Sequence, residues 1–279
     1  MDSLMKFSRR APLYSIVVLG ACLTLFPFLW MLLSSFKTSS EIFSYPPSIL
    51  PQFWRFDNYT RLFIERPFGI WYINSILIAA VSTAAVLFFS SLAGFAFAKY
   101  DFKGRGVMFA ILLGSTMIPF QLILIPLFIE VSRFGMIDSY AGLIMPFMAP
   151  ALGIFLMKQF IGAIPDELIQ AARIDGATEF GIYWSIVVPL LRPALGTLGI
   201  ITFLGSWNSF VWPLVILRSE AMMTLPIGLR ALTENVPGKG RDYGMIMAAA
   251  SMVSIPVIAV FMAMQRQFIS GLLSGAVKQ

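Results

Sequence analysis

The stretch Ile164-Pro165-Asp166-Glu167-Leu168-Ile169-Gln170-Ala171-Ala172-Arg173-Ile174-Asp175-Gly176-Ala177-Thr178-Glu179 is a polar island in an apolar chain, and its reading carries on to Pro189. Pro165 suits the start of a helix, where its missing N–H has no partner to lose. Asp166 and Glu167 suit the positive end of the helix dipole. Gly176 closes that helix, because it enters the left-handed region without a Cβ penalty. Thr178 then carries the hydroxyl that caps a second helix, with Glu179 in its first turn. Phe180, Tyr183, Trp184 and Val187 recur at helical spacing and give the second helix an apolar stripe. The pattern predicts two short helices meeting at a glycine corner, with hydrophobic segments on either side.

Those flanking segments set the class. The 279 residues are 58% hydrophobic and 12% charged, and soluble domains carry about a quarter charged residues. Apolar runs of about 20 residues span a bilayer, and several are visible here. The net charge of +6 comes from basic residues scattered among loops, which fits anionic headgroups and not a nucleic acid. Cys22 is the single cysteine and there is no histidine, so no disulfide framework or transition-metal site is expected. The first apolar run is too long for a signal-peptide core and reads as a retained helix.

Taken in order, the chain predicts an all-α membrane protein with six transmembrane helices. Residues 1–67 hold a basic tail (Lys6, Arg9, Arg10), a first span over 13–36 and a polar, proline-broken loop. Residues 68–265 hold spans at 68–98, 107–129, 140–157, 193–217 and 244–265, with the elbow between spans four and five within 158–192. Residues 266–279 form a terminal tail. Ser90, Ser91, Ala93 and Gly94 are small enough to let span two pack closely on a neighbour. Lys and Arg divide eleven to nine between the two sides, and Lys6, Arg9, Arg10 and the basic turn at 99–105 lie next to span ends. By the positive-inside rule both termini and the elbow are therefore cytoplasmic.

The missing chemistry narrows the function. None of the six spans carries an ionisable side chain in its interior, which disfavours a proton-coupled carrier. A sodium-coupled carrier or channel, using backbone carbonyls beside Pro119, Pro126, Pro146 and Pro150, stays open as an alternative. No phosphate-cradling G-x-x-x-x-G-K-[ST] occurs, so ATP hydrolysis, enzymatic catalysis and bound cofactors are not expected of this chain. By periodicity alone the elbow fits an interfacial connector as well as a docking site for another protein. The flat Ala171-Ala172 surface, and a length beyond what a turn needs, favour docking.

Gln170-Ala171-Ala172-Arg173-Ile174-Asp175-Gly176-Ala177, followed by Ile186-Val187-Val188-Pro189, resembles the EAA loop of membrane subunits of ABC importers. Asn74-Ser75, the turn 100–105, Ile164 to Leu168, Trp207-Asn208 and the ending Phe268 to Lys278 resemble carbohydrate-importer permeases of the maltose-importer second-permease type. Asp57 to Thr60, Ile137 to Tyr140 and Thr224 to Gly228 are closest to arabinose-oligosaccharide permeases. The resemblance implies a multi-pass permease of the bacterial cytoplasmic membrane that moves a sugar. It would work with a second distinct permease, ATP-hydrolysing subunits and an extracytoplasmic binding protein. Glu167, Gln170, Ala171, Ala172, Asp175, Gly176, Ala177 and Pro189 would form the ATPase-coupling loop. Gln170 stands where that family has glutamate, so an ion pair from this position cannot form. Glu167, one turn earlier on the same face, can supply the charge.

The remaining candidates carry two readings each. Trp207 and Asn208 can stack on and hydrogen-bond a sugar, or join neighbouring helices. Met117 and Gln121, beside Pro119, can line a gate or pack as a kinked helix. Gly238, Gly240, Arg241 and Asp242 lie in a solvated loop, which the resemblance assigns to contact with the binding protein.

Overall fold

In the computed structural model the chain is described over residues 2–234 and 240–276, with side chains over 14–234 and 240–263. The first helices are α1 (Asp2–Ser34), the short α2 (Ser39–Ile42), α3 (Asp57–Ile64) and the long α4 (Phe68–Lys99). Next come α5 (Arg105–Ser115), α6 (Phe120–Arg133), α7 (Tyr140–Ile144), a 3-10 turn at Met145–Phe147, and α8 (Ala151–Gly162). The elbow comprises α9 (Asp166–Ile174), α10 (Glu179–Ile182), a π turn at Tyr183–Val187 and α11 (Val188–Leu190). The chain closes with α12 (Arg192–Trp207), α13 (Val211–Ile216), a 3-10 turn at Glu220–Met222, α14 (Leu225–Thr233) and α15 (Tyr243–Ala276). Among the described residues the regular elements are all helical.

Three stretches, Tyr14–Ser34, Phe68–Lys99 and Tyr243–Ala263, are long and apolar enough to cross a bilayer as single helices, and up to six crossings result if each bent pair is one span. The bent pairs differ from the expectation of continuous spans. Between α5 and α6 the axis turns by 103°. Pro119 sits at the N-cap of α6 with ψ 136°, and proline pushes its predecessor out of the helical region, so the two halves separate. Pro126, by contrast, lies inside α6. The span expected over 193–217 is α12 and α13 with a break at 208–210, and α15 continues through 266–276, where a tail was expected.

The chain divides into two compact units, Met1–Gly69 with Gly228–Ile255, and Ile70–Ile227 with Pro256–Gln279. In the first unit the apolar side chains of α1 from Ile16 to Leu32 are largely exposed, as suits a helix whose solvent is lipid. Lys37, just beyond α1, is buried. Its Nζ donates to the Ser48 carbonyl and lies 4.9 Å from the centre of the Trp30 ring. Asn58 of α3 donates to the carbonyls of Ser35 and Lys37, at 2.8 and 3.0 Å. Gly244 is required beside them, since a Cβ there would stand 2.5 Å from the Lys37 carbonyl oxygen.

The second unit has two apolar cores. One joins Ile78, Val131, Leu143, Ile144, Trp212 and Ile216, from α4, α6, α7 and α13. The other joins Val86 and Phe95 of α4, Met157 and Ile161 of α8, Ile169 of α9, Ile182, Tyr183 and Val187 of the elbow, and Leu198 of α12. Helices α4 and α8 meet closely enough that a Cβ on Gly94 would lie 2.7 Å from the Met157 Cβ. The elbow is thus seated on the helices through its own apolar face.

Candidate functional site

Local chemistry shapes the elbow as the sequence predicts. Asp166 and Glu167 occupy the first turn of α9 and Arg173 its last, each favourable to the helix dipole. Gly176 has φ +81°, and the Ala177 N–H reaches back to the Ala172 carbonyl at 2.9 Å, satisfying a carbonyl at the helix end. The Thr178 hydroxyl accepts from the Gly181 N–H at 3.1 Å, capping α10. Pro189 follows the π turn closely. It has no N–H for the carbonyl four residues back, which accounts for the local widening.

The apolar stripe divides in two. Tyr183 and Val187 are buried, and the Tyr183 hydroxyl pairs with the buried Ser91 hydroxyl at 2.7 Å. Phe180 and Trp184 are about half exposed, at 57% and 48%. Ile169 is the one buried residue of α9, and burying a side chain of that size contributes about 1.5–3 kcal/mol. Glu167, Gln170, Ala171, Asp175, Gly176, Ala177 and Pro189 all face outward, with Ala172 partly covered. Each of the expected coupling residues except Ala172 is thus exposed.

Ionic contacts hold the corner closed. Arg173 Nε donates to Glu179 Oε1 at 2.7 Å, joining α9 to α10 across Gly176. Tyr100 donates its hydroxyl proton to the same Glu179 carboxylate. The Arg173 hydrogen bond, then that from Tyr100, holds the Glu179 carboxyl below the usual glutamate range. Burial, then the hydrogen bond to Glu179, pushes the Tyr100 phenol up. Beside this network lies a polar pocket of about 350 Å³, lined by Lys99, Asp101, Arg105, Asp166, Gln170 and Arg173 among others.

A larger cavity of about 510 Å³ lies between α4, α7, α8, α12 and α13. Its wall is mainly apolar, with hydroxyls from Ser82, Thr202, Ser206, Ser209 and Thr224. Thr224 Oγ1 is buried without a hydrogen-bond partner among the described residues. None of the four path candidates lines this cavity. Met117, in the break between α5 and α6, is 84% exposed, and Gln121, in the first turn of α6, is exposed. Trp207 is buried, stacked on Phe203, and Asn208 returns a hydrogen bond to the Leu204 carbonyl at 3.0 Å. Sequence reasoning missed the cavity hydroxyls, because isolated Ser and Thr in apolar helices give no pattern.

At the Phe68 end of α4, Asn74 and Ser75 bind the segment after α13. Asn74 donates to the carbonyls of Ala221 and Met223 at 2.9 and 3.0 Å, and the Ser75 hydroxyl accepts from the Leu225 N–H at 2.7 Å. In the loop before α15, Gly240 and Arg241 are exposed. Asp242 pairs with Arg61 at 2.8 Å and accepts from the Met245 N–H at 3.1 Å. Gly238 lies outside the described residues. No group of His, Cys, Asp or Glu that could hold a metal occurs among the described residues.

Residues 87–273, which contain the elbow and the cavity-lining helix α12, match the model of the binding-protein-dependent transport system inner membrane component family. The chain belongs to this family. Such an inner membrane component is a permease embedded in the bilayer, in agreement with the apolar helices above. The arabinooligosaccharides transport system permease protein AraQ of Bacillus subtilis is 41% identical, over 92% of this chain and 91% of its own. The lactose transport system permease protein LacG of Rhizobium radiobacter is 34% identical, over 95% of each. Among solved structures, a chain of a bacterial ABC transporter involved in import of the acidic polysaccharide alginate superposes with TM-score 0.84 at 26% identity, covering 93% of this chain and 97% of that one. The family membership gives no support to the carrier alternative.

Proposed function

We propose that this permease is one half of an ATP-driven ABC importer that carries a sugar, an oligosaccharide, across the membrane. Its relatives named for arabino-oligosaccharides and lactose support the substrate class. Six spans, with termini and elbow on the cytoplasmic side, are supported by the three single helices and by the bent pairs α5–α6 and α7–α8. Further support comes from α12 with α13 as the remaining span, once Glu179–Leu190 is assigned to the elbow, and from the basic residues near span ends. A separate subunit hydrolyses ATP, a second permease completes the pathway, and a binding protein outside delivers the sugar. Gly240, Arg241 and Asp242, in the loop before α15, are the contacts offered to that delivery protein. The cavity hydroxyls of α4 and α12 provide polar partners along the path.

The observation that carries this reading is the elbow: an outward surface from Glu167 to Ala177 seated on the apolar core by Ile169 and Tyr183. A rigid unit with a flat alanine face is suited to receive motion from an ATPase and pass it on as a rigid-body shift. The test is purification of the tagged chain in mild detergent. Recovery of a nucleotide-binding subunit and a second permease, with ATP hydrolysis stimulated by sugar-loaded binding protein, is expected. Recovery of the chain alone, with no ATPase under conditions that preserve membrane complexes, overturns the reading.

A further inference from the structure

The elbow follows α8 in sequence and leads into α12, so these helices are its covalent neighbours. Its polar contacts go elsewhere, to the end of α4, more than sixty residues earlier in the chain. Lys99, the last residue of α4, has only 4% of its side chain exposed. Its Nζ donates to the Ile164 carbonyl at the entry to α9 and to Asp166 Oδ1 at 2.6 Å. Tyr100, the next residue, donates to Glu179 at the start of α10, and Arg173 lies over its ring at 5.6 Å. Two turns up the same helix, the Ser91 hydroxyl holds that of Tyr183 in the π turn. Phe95 packs between them, with its ring 5.4 Å from Tyr100 and 6.1 Å from Tyr183.

Each contact takes a different piece of the elbow: its entry, the two sides of its glycine corner and its exit. A lysine this deeply buried is costly unless its charge is answered, and here both its acceptors belong to the elbow. The aligned carboxylate of Glu179 serves Arg173 and Tyr100 together, so closing the corner and gripping α4 are one event. We propose that Lys99 and Tyr100 are the positioning residues through which movement of the elbow is transmitted to α4. That helix supplies Ile78, Ser82 and Val86 to the wall of the 510 Å³ cavity. Movement at the elbow therefore reaches the cavity by a direct route along α4, besides the covalent one through α12.

This inference rests on the reading of the elbow as the ATPase-docking loop, and the experiment separates the two. The complete importer, with both permeases, ATPase subunits and binding protein, is reconstituted in lipid vesicles with Lys99→Met, Tyr100→Phe or Ala171→Asp in this chain. Three quantities are read: ATPase subunit recovered on purification, ATP hydrolysis, and sugar accumulated per ATP. For Lys99→Met and Tyr100→Phe, recovery and hydrolysis hold while sugar per ATP falls about fivefold or more, the scale of a typical coupling between sites. An unchanged ratio overturns the proposal, and so does a parallel fall of all three quantities, which marks a merely structural role. If Lys99→Met fails to assemble, Tyr100→Phe alone decides, since it removes one hydroxyl and keeps the ring packing. Ala171→Asp is expected to abolish recovery. Should it leave recovery intact, the docking reading has failed, whatever the α4 contacts do.

Discussion

Arg173 and Glu179 form a two-point ion pair across the glycine corner, with Nε and a terminal nitrogen of the guanidinium 2.7 and 3.2 Å from the two carboxylate oxygens. Both side chains are more than a third exposed, at 38% and 46%, so solvent screening limits the pair to about 0.2–1 kcal/mol. The carboxyl of Glu179 is held below its ordinary 4.5. A depressed carboxylate contributes stability that is present above its unfolded value and lost as pH falls through the folded one. The Tyr100 phenol is raised above its ordinary 10.0, so its contribution is present below that value and is lost as pH rises through the folded one. The corner is therefore tightest between these limits. Hydrogen exchange of the Ala177 amide, bonded across the corner to Ala172, is expected to lose protection at acid pH beyond the intrinsic trend. Glu179→Gln should remove that pH dependence; an unchanged profile counts against the pair.

Gly176 tests conformation separately from charge. Its φ of +81° is in the left-handed region, and an added Cβ would meet nothing within 4 Å. Any penalty for an uncharged side chain is thus backbone strain, about 1–2 kcal/mol for an ordinary residue. Asn and Asp enter this region more readily than branched residues. Gly176→Asn is expected to keep the corner and ATPase recovery, and Gly176→Val to weaken both. Gly176→Asp, with similar strain to Asn but a charge on the outward surface, should lose recovery. Equal behaviour of the Asn and Asp variants would place the effect in the backbone alone.

The corner was legible in the sequence because its determinants are local. A proline before two acids, a glycine and a threonine followed by glutamate each act on the few residues beside them. The bent pair α5–α6 was only half legible: Pro119 signals a break, but its 103° is set by what each half packs against. The partners of Lys99 and Tyr100 were illegible. Asp166 and Glu179 are remote in sequence, and the basic turn at 99–105 carries the same composition whether it faces lipid headgroups or grips an elbow. Trp207 shows the same limit, since an aromatic residue beside Asn208 reads alike whether turned to a pathway or, as here, stacked inside on Phe203.

Gly94 marks where α4 can tolerate no side chain. A Cβ there would lie 2.7 Å from the Met157 Cβ and 2.8 Å from the Lys158 backbone nitrogen. Neither is the free end of a flexible chain. Gly94→Ala is therefore expected to destabilise by about 1–3 kcal/mol through overpacking. Gly114, near the end of α5, has nothing within 4 Å of an added Cβ, and Gly114→Ala should be neutral or gain up to about 1 kcal/mol from helix propensity. Thermal unfolding in detergent compares them. If Gly94→Ala is as stable as Gly114→Ala, the α4–α8 contact is looser than described.

Gln170 faces outward from α9 and borders the pocket that also holds Lys99, Arg105 and Arg173. The three cations there are each answered by a carboxylate of this chain, Asp166, Asp101 and Glu179 in turn, so a carboxylate at position 170 meets no uncommitted cation among them. Lys99 is already committed to Ile164 and Asp166, and Arg173 to Glu179. A new carboxylate at this exposed position is therefore left available to a basic residue on a docked ATPase. An exposed pair of this kind contributes about 0.2–1 kcal/mol, which corresponds to a gain of up to about fivefold in affinity. Gln170→Glu is expected to strengthen ATPase association by that amount at low salt, and the gain should vanish as salt screens the pair. Glu167→Gln, one turn away on the same outward face, should act in the opposite sense with the same salt dependence. If Gln170→Glu strengthens association equally at all salt concentrations, the gain comes from shape and not charge. Weakened association would mean that Arg105 captures the new carboxylate inside the chain, drawing it away from the surface where the partner docks.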